Sequence, residues 1–146
     1  MLTCRRAAQN DADAIAAVFS SSFRLLDFLP MLHTVEEDRQ FIEGIVLKEC
    51  EVTVAESAGR IVSFLARQGA DIRMLYTHPA HIGAGAGSLL MEAAKTAGTP
   101  ALELWCFQAN GRARRFYEEH GFVAVRFTDG TDNEEKAPDV RYRWQR

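Results

Sequence analysis

The hydrophobic period changes along residues 51–77, and that change constrains the fold more than any other feature. The segments EVTVAE (51–56) and IVSFLA (61–66) alternate as strands do, and Ser57-Ala58-Gly59-Arg60 between them has hairpin-turn chemistry. DIRMLYT (71–77) predicts a third strand, ending at His78-Pro79. On either side the apolar residues recur at helical spacing. Ile15, Val18, Phe19 and Phe23 share a face of a helix that Asn10 or Asp11 can cap. Thr34 and Glu37 form a capping-box pattern ahead of Phe41, Ile42, Ile45 and Val46. Downstream, Leu89, Leu90, Ala93, Ala94 and Ala97 predict a helix stopped by Gly98, and ALELWCF (101–107) predicts a strand. Residues 110–120 place Ala113, Phe116, Tyr117 and His120 on one helical face, with Gly121 as a C-cap. Residues 2–7, 122–128 and 139–145 read as strands. RLLDFLPMLH (24–33) is aperiodic around Pro30 and reads as a loop or broken helix, and 129–137 is a polar loop. The order β-α-α-β-β-β-α-β-α-β-β sets a hairpin run beside two βαβ units, which implies an α/β fold with a mixed sheet layered by helices.

Bulk properties narrow the function classes. A chain of 146 residues, 47% hydrophobic and 25% charged, fits one domain over residues 1–146. A net charge of −3 argues against a general nucleic-acid binder. No run of about 18 apolar residues suggests a membrane span, and Met1-Leu2-Thr3-Cys4-Arg5-Arg6 lacks the apolar stretch of a signal peptide. Cys4, Cys50 and Cys106 are odd in number and form no CxxC pair, so they read as reduced thiols, with the cytoplasm as the expected compartment.

His81-Ile82-Gly83-Ala84-Gly85-Ala86-Gly87-Ser88 joins a predicted strand to a predicted helix. Three alternating glycines at such a junction turn successive N–H groups toward one point, where the positive end of the helix also favours a phosphate. A P-loop would need a lysine after the last glycine, and Leu89 follows Ser88. The dinucleotide fingerprint would need glycine at 88, and it normally opens a domain rather than following half the chain.

Residues 74–90, MLYTHPAHIGAGAGSLL, resemble the acetyl-CoA-binding motif of the GNAT superfamily of N-acetyltransferases. Residues 102–124, LELWCFQANGRARRFYEEHGFVA, resemble the same family's strand, Asn, helix, Tyr-Glu and Gly-Phe pattern, and VAESAGRIVSFLA resembles its second and third strands. The likeness runs in order through nearly the whole chain. It implies a mixed, mostly antiparallel sheet of about six to seven strands flanked by about four helices, an acyltransferase activity, acetyl-CoA as co-substrate, an amine acceptor (small molecule or protein) and a homodimer as a family-level expectation. Two positions depart from the pattern: Ile82 stands where Gln or Arg is usual, and Ala84 where a basic residue is common. Arg112, Arg114 or Arg115 could supply charge toward the phosphates instead, or form a solvated helix face.

An amine with the pKa of lysine, near 10.4, is almost wholly protonated at neutral pH, so transfer benefits from a base, an acid for the departing thiolate, and a donor at the thioester oxygen. The resemblance implies that Leu75, Tyr76 and Thr77 offer main-chain N–H groups to the acyl arm. It implies that Gly83, Ala84, Gly85, Ala86, Gly87 and Ser88 hold the pyrophosphate. Tyr117 would protonate the sulfur, or be only a packed helix residue; Asn110 would hydrogen-bond the arm, or be only an N-cap. Asp71, which matches the strand position of a catalytic glutamate in histone-type members, and Glu103, which shares a strand face with Trp105 and Phe107, are the candidate bases, beside a chain of waters. Trp105, Phe107, Phe23 and Phe28 could wall an acceptor pocket or belong to the core. His33, His78, His81 and His120 lack ligand spacing, so no metal is expected. A catalytically silent acyl-CoA-binding module is the alternative to an enzyme.

Overall fold

In the computed structural model, which describes residues 1–146, seven strands form one sheet in the order β1-β2-β3-β4-β5-β7-β6. The strands are β1 (Leu2–Arg6), β2 (Glu51–Ser57), β3 (Arg60–Gln68), β4 (Asp71–Thr77), β5 (Ala101–Phe107), β6 (Val123–Thr128) and β7 (Asp139–Gln145). Every pair is antiparallel except β4 with β5. That single parallel pair is short. It joins only Asp71 to Glu103 and Ile72 to Leu104, and beyond those residues the two strands diverge.

Helices cover both faces. α1 (Ala12–Phe23) and α2 (Val35–Phe41) bury Ile15, Val18 and, just beyond α2, Ile42 against Val52, Val54, Phe64 and Met74. α4 (Ala86–Thr96) and α5 (Gly111–Glu119) bury Leu90, Met91 and Tyr117 against Leu65, Leu102, Leu104, Val140 and Tyr142 on the other face. Fully burying a side chain such as Leu90 or Leu102 stabilises by about 1.5–3 kcal/mol; truncating either to alanine leaves a cavity and costs about 2–5 kcal/mol.

The helix starts show where local chemistry decides. At α2 the capping box forms as the sequence predicts: the Glu37 N–H donates to Thr34 Oγ1 at 3.1 Å, and the Thr34 N–H donates to Glu37 Oε1 at 2.8 Å. At α1 neither Asn10 nor Asp11 caps through its side chain. A 3₁₀ turn over Gln9–Asp11 leads in, and Asp11 Oδ2 accepts the Ala8 N–H at 2.7 Å and the Arg5 guanidinium at 2.8 Å. The helix expected to continue through Val46 widens instead into a π turn over Ile42–Val46 before a last turn, α3 (Leu47–Glu49), and both Ile42 and Val46 are buried.

A bulge re-aims β4. Its pairing with β3 steps from Ala66–Met74 to Arg67–Ile72, which leaves Arg73 as the extra residue. Ile72 therefore packs toward α4, while Met74 packs toward α1 and Tyr76 stands against that same cluster. Arg67 opposite is buried at 7% exposure, and its guanidinium donates to Ala94 O, Gly69 O and Thr99 Oγ1 at 2.8–3.0 Å, closing the C-terminal end of α4. No helix is long and apolar enough to cross a membrane.

Candidate active site

The divergence of β4 from β5 leaves main-chain groups of β4 without a strand to bond. The His78 N–H donates to Val62 O at 2.8 Å, and Tyr76 is the Cα partner of Phe64, so the alternation of an antiparallel ladder turns Tyr76 toward β3. Leu75 and Thr77 are turned the other way, toward the gap. Of the three predicted donors, Tyr76 therefore turns its N–H toward β3 and not toward the gap. Ser63 Oγ donates to Tyr76 O at 2.8 Å and Ser22 Oγ to Thr77 O at 2.6 Å, which fixes the gap-facing end of β4.

Tyr117, Tyr76 and Cys106 lie near enough for charge on one to be felt by another, Tyr117 and Cys106 from the α5 side of the sheet and Tyr76 from the α1 side. Tyr117 of α5 packs on Phe122 and Tyr142, yet its hydroxyl makes no hydrogen bond within the chain. Burial pushes its pKa well up, and the nearby Cys106 and Tyr76 push the same way. Burial likewise raises Tyr76, with Glu135 and Cys106 adding to it, and raises the Cys106 thiol to about 12. Both phenols and the thiol thus stay protonated at neutral pH. The thiol is no thiolate nucleophile.

The glycine loop runs from a 3₁₀ turn at Pro79–His81 into α4, whose N-cap is Gly85. Gly83 and Gly85 have φ of +86° and +97°, in the left-handed region that favours glycine. The Ala84 N–H bonds His81 O, and the first helical bond is Leu89 N–H to Gly85 O. The N–H groups of Gly83, Gly85, Ala86, Gly87 and Ser88 have no main-chain acceptor, and they gather at the positive end of the helix. A Cβ on Gly87 would stand 3.3 Å from the Phe116 ring, so α5 passes directly beside this cradle. Ser88 Oγ lies 3.1 Å from His120 Nε2, and burial lowers the pKa of that histidine. Asn110 is the N-cap of α5, its Oδ1 accepting the Ala113 N–H at 3.2 Å. Arg114 is engaged with Tyr142 Oη and Gln108 O, whereas Arg112 lies one turn before Phe116 on the side of α5 that meets the cradle.

The two carboxylates picked out from the sequence are held by cations. Glu103 accepts from Arg141 Nε at 3.0 Å and Arg143 Nη1 at 2.5 Å, bonds that hold its pKa below the usual carboxylate value. Asp71 lies 2.6 Å from Arg73 Nε and 3.0 Å from Arg141 Nη1. The second contact is an ion pair at a poor hydrogen-bonding angle, and Asp71 Oδ1 is sealed from solvent without an aligned donor.

Residues 48–124 match the family described as the acetyltransferase (GNAT) domain, just over half of the chain and the part that carries the gap and the cradle. The chain belongs to the GNAT acetyltransferase family. It is an acyltransferase. No curated protein matches the sequence. Among solved structures the fold resembles apo YjaB from Escherichia coli at TM-score 0.81 and 23% identity, covering 99% of this chain and 97% of that one. It also resembles the PaiA N-acetyltransferase from Thermoplasma acidophilum in complex with coenzyme A, at TM-score 0.77, 17% identity and coverage of 100% and 99%. A third likeness is to YncA from Salmonella typhimurium with acetyl-CoA, at TM-score 0.75, 18% identity and coverage of 99% and 94%. At these identities the likeness shows the fold.

In this GNAT chain the side of the gap opposite the cradle is lined with aromatic rings. Phe19 and Phe23 of α1 meet Tyr76 edge-on at 5.2 and 6.4 Å between centroids, and Phe28 meets Phe107 of β5 at 6.1 Å. Two loops arch over this side and touch through an ion pair between His33 Nε2 and Glu134 Oε1, residues 101 apart in sequence. Trp105 is farther along the open sheet face, 45% exposed with Arg141 5.3 Å from its ring centre. Glu135, beside Glu134, is half-buried and lies in a segment that the sequence marks only as polar. A polar loop without period carries no signal of which side chain turns inward.

Proposed function

We propose that the chain transfers an acetyl group from acetyl-CoA directly to a primary amine held in the gap between β4 and β5. The observation that carries this reading is the union of two features at the ends of the same diverging strands. One is the cradle of five N–H groups without main-chain acceptors; the other is the gap left where β4 and β5 diverge, toward which Leu75 and Thr77 turn their N–H groups. The cradle suits a pyrophosphate even without basic residues at 82 and 84, because main-chain donors and the helix end supply the attraction. Arg112 adds a cation from α5.

The residues then have distinct tasks. Leu75 and Thr77 present N–H groups to the thioester oxygen, where negative charge grows as the carbonyl is attacked; one such donor is typically worth about 10²–10³-fold in rate. Tyr117, kept neutral by burial, hydrogen-bonds the sulfur as it gains charge, and its proton is replaced by one that the amine gives up. Asn110 turns its free amide nitrogen toward the acyl arm while its oxygen caps α5. The high pKa of Cys106 disfavours a covalent acetyl-enzyme, so the amine attacks directly. Asp71 and Glu103, each paired with arginines, serve to join β4 to β5 rather than to take a proton.

The test is incubation of the protein with acetyl-CoA and a panel of amines, amino acids, polyamines and peptides. Thiol release that depends on the amine, with a mass gain of one acetyl group on the acceptor, is expected. Tight acetyl-CoA binding without amine-dependent release would instead mark a silent binding module.

A further inference from the structure

Resting on that reading of the gap, we propose that the uncovered face of β5, β7 and β6 is a docking surface for an acidic polypeptide segment, and that the acceptor amine is carried by such a polypeptide. The first observation is that no helix covers this face. α1 and α2 pack on side chains of β2, β3 and β4, and no side chain of β5, β6 or β7 joins that cluster. Phe28 reaches Phe107 at the gap end of β5, and from Trp105 onward the face is open, with Trp105, Val123 and Arg126 all exposed. The register puts these side chains on one surface. Arg141 is the Cα partner of both Trp105 and Arg126, and Arg143 is the partner of both Glu103 and Val123. Tyr142 between them points into the opposite core.

The second observation is the charge. Two carboxylates, Asp71 and Glu103, meet four arginines on this side, Arg73, Arg126, Arg141 and Arg143, on a chain whose net charge is −3. The carboxylates are already shared among Arg73, Arg141 and Arg143. Arg126 has no ion pair and no hydrogen bond, although it stands directly across from Arg141. Like charges set opposite each other on a sheet are destabilising, and nothing within the chain relieves this one. Arg141 also lies 5.3 Å from the Trp105 ring centre, so the basic strip carries an aromatic plate. Tryptophan and arginine are the residue types that most often dominate binding energy once a partner covers them.

Charge and geometry select the occupant. A second copy docked face to face about a two-fold axis through Trp105 would set these arginines against their own counterparts. Pairing through the edge strand β6 is blunted by the bulge that leaves Val125 as an extra residue. A long nucleic acid or an anionic membrane would also meet the acidic loop beyond Phe107, which carries Asp129, Asp132, Glu134 and Glu135. A short acidic segment fits the strip itself. Its carboxylates accept from Arg126 and the half-buried Arg143 in the forked geometry that guanidinium favours, and its backbone rests on Trp105. Trp105 is two residues from Phe107 on the same strand face, about 7 Å. A chain bound on the strip therefore continues to the aromatic side of the gap.

The experiment uses a blocked peptide in which a single lysine stands between two pairs of glutamates, and a twin with glutamines in their place. Calorimetry against the CoA-saturated protein should show the glutamate peptide binding at least about tenfold more tightly than the twin. The difference should close as salt approaches about 1 M, where charges are screened within about 3 Å. Arg126→Glu and Trp105→Ala should each weaken the glutamate peptide by about tenfold or more, with an unchanged Kd for acetyl-CoA. In turnover, kcat/KM should favour the glutamate peptide, and Arg126→Glu should erase that preference. Equal binding of the two peptides, no binding to the parent protein, or parental affinity in either variant overturns the docking surface. Acetylation of small amines with no preference between the peptides overturns the acceptor class. A parent protein that turns over no amine fails the acetyl-transfer reading, and the calorimetry still decides the docking surface.

Discussion

Asp71 and Glu103 stand opposite each other on the first of the two rungs that join β4 to β5. Two like charges directly opposite on a sheet repel, and Arg141 from β7 reconciles them by reaching both, with Arg73 and Arg143 on the outer flanks. The network closes the sheet just short of the place where the strands diverge, so it sets where the gap begins.

Replacing Glu103 with Gln tests that role. The Glu103 carboxylate is held below its ordinary value of 4.5 in the folded state. Its contribution to stability is therefore fully present above that value and is lost as pH falls through the lowered one. Glu103→Gln should cost about 1 kcal/mol at neutral pH, a figure discounted for partial exposure. It should also flatten the loss of stability on the acid side. Denaturant titrations from neutral pH to about pH 3 measure both, and the same acid slope in the two proteins would contradict the account.

Tyr117→Phe separates catalysis from packing. The hydroxyl makes no hydrogen bond within the chain, so the variant should keep its stability within about 0.5 kcal/mol. If the hydroxyl serves the departing sulfur, kcat should fall about 10²–10⁴-fold with little change in acetyl-CoA affinity. Undiminished kcat would leave Tyr117 as part of the core alone.

Gly85→Val addresses the cradle. The position has φ of +97°, which a β-branched residue adopts only under strain, and the nearest atom to an added Cβ is Leu2 Cδ1 at 3.8 Å. The substitution should therefore disturb the local turn and its N–H directions rather than the core. Acetyl-CoA affinity should drop by at least about tenfold, roughly 1.4 kcal/mol. Calorimetry showing parental affinity would mean that the phosphates bind elsewhere.

Much of the architecture is legible in the sequence because it follows from period. Each strand and the helices around residues 86–96 and 111–119 come from alternation or helical spacing, and Gly121 ends α5 with bonds from Gly121 N–H to Glu118 O and Phe122 N–H to Tyr117 O. What escapes is set by partners far away in the chain. The arginines that neutralise Glu103 are 38 and 40 residues distant, so a carboxylate that looks free on its strand is paired in the fold. The bulge at Arg73 reverses which residues of β4 face α1, and a period count through DIRMLYT does not register an extra residue.

Arg67→Met probes the frame without touching the gap. Arg67 is buried with no carboxylate partner, and it donates to Ala94 O, Gly69 O and Thr99 Oγ1. Removing those bonds leaves buried acceptors at the end of α4 unmet, a loss of about 2–3 kcal/mol. A fall of several degrees in Tm with unaltered kcat is expected. A parental Tm would show that water replaces the guanidinium without cost.

Direct transfer in the gap makes one kinetic demand that no other step imposes. On the proposed reading amine and acetyl-CoA are bound together, since burial raises the pKa of the Cys106 thiol to about 12 and disfavours it as a carrier of the acetyl group in between. Initial rates of thiol release, measured while both acetyl-CoA and the amine are varied, should give lines that intersect in double-reciprocal form, with one amide formed per thiol. Parallel lines, or thiol release that does not depend on the amine, would contradict the account.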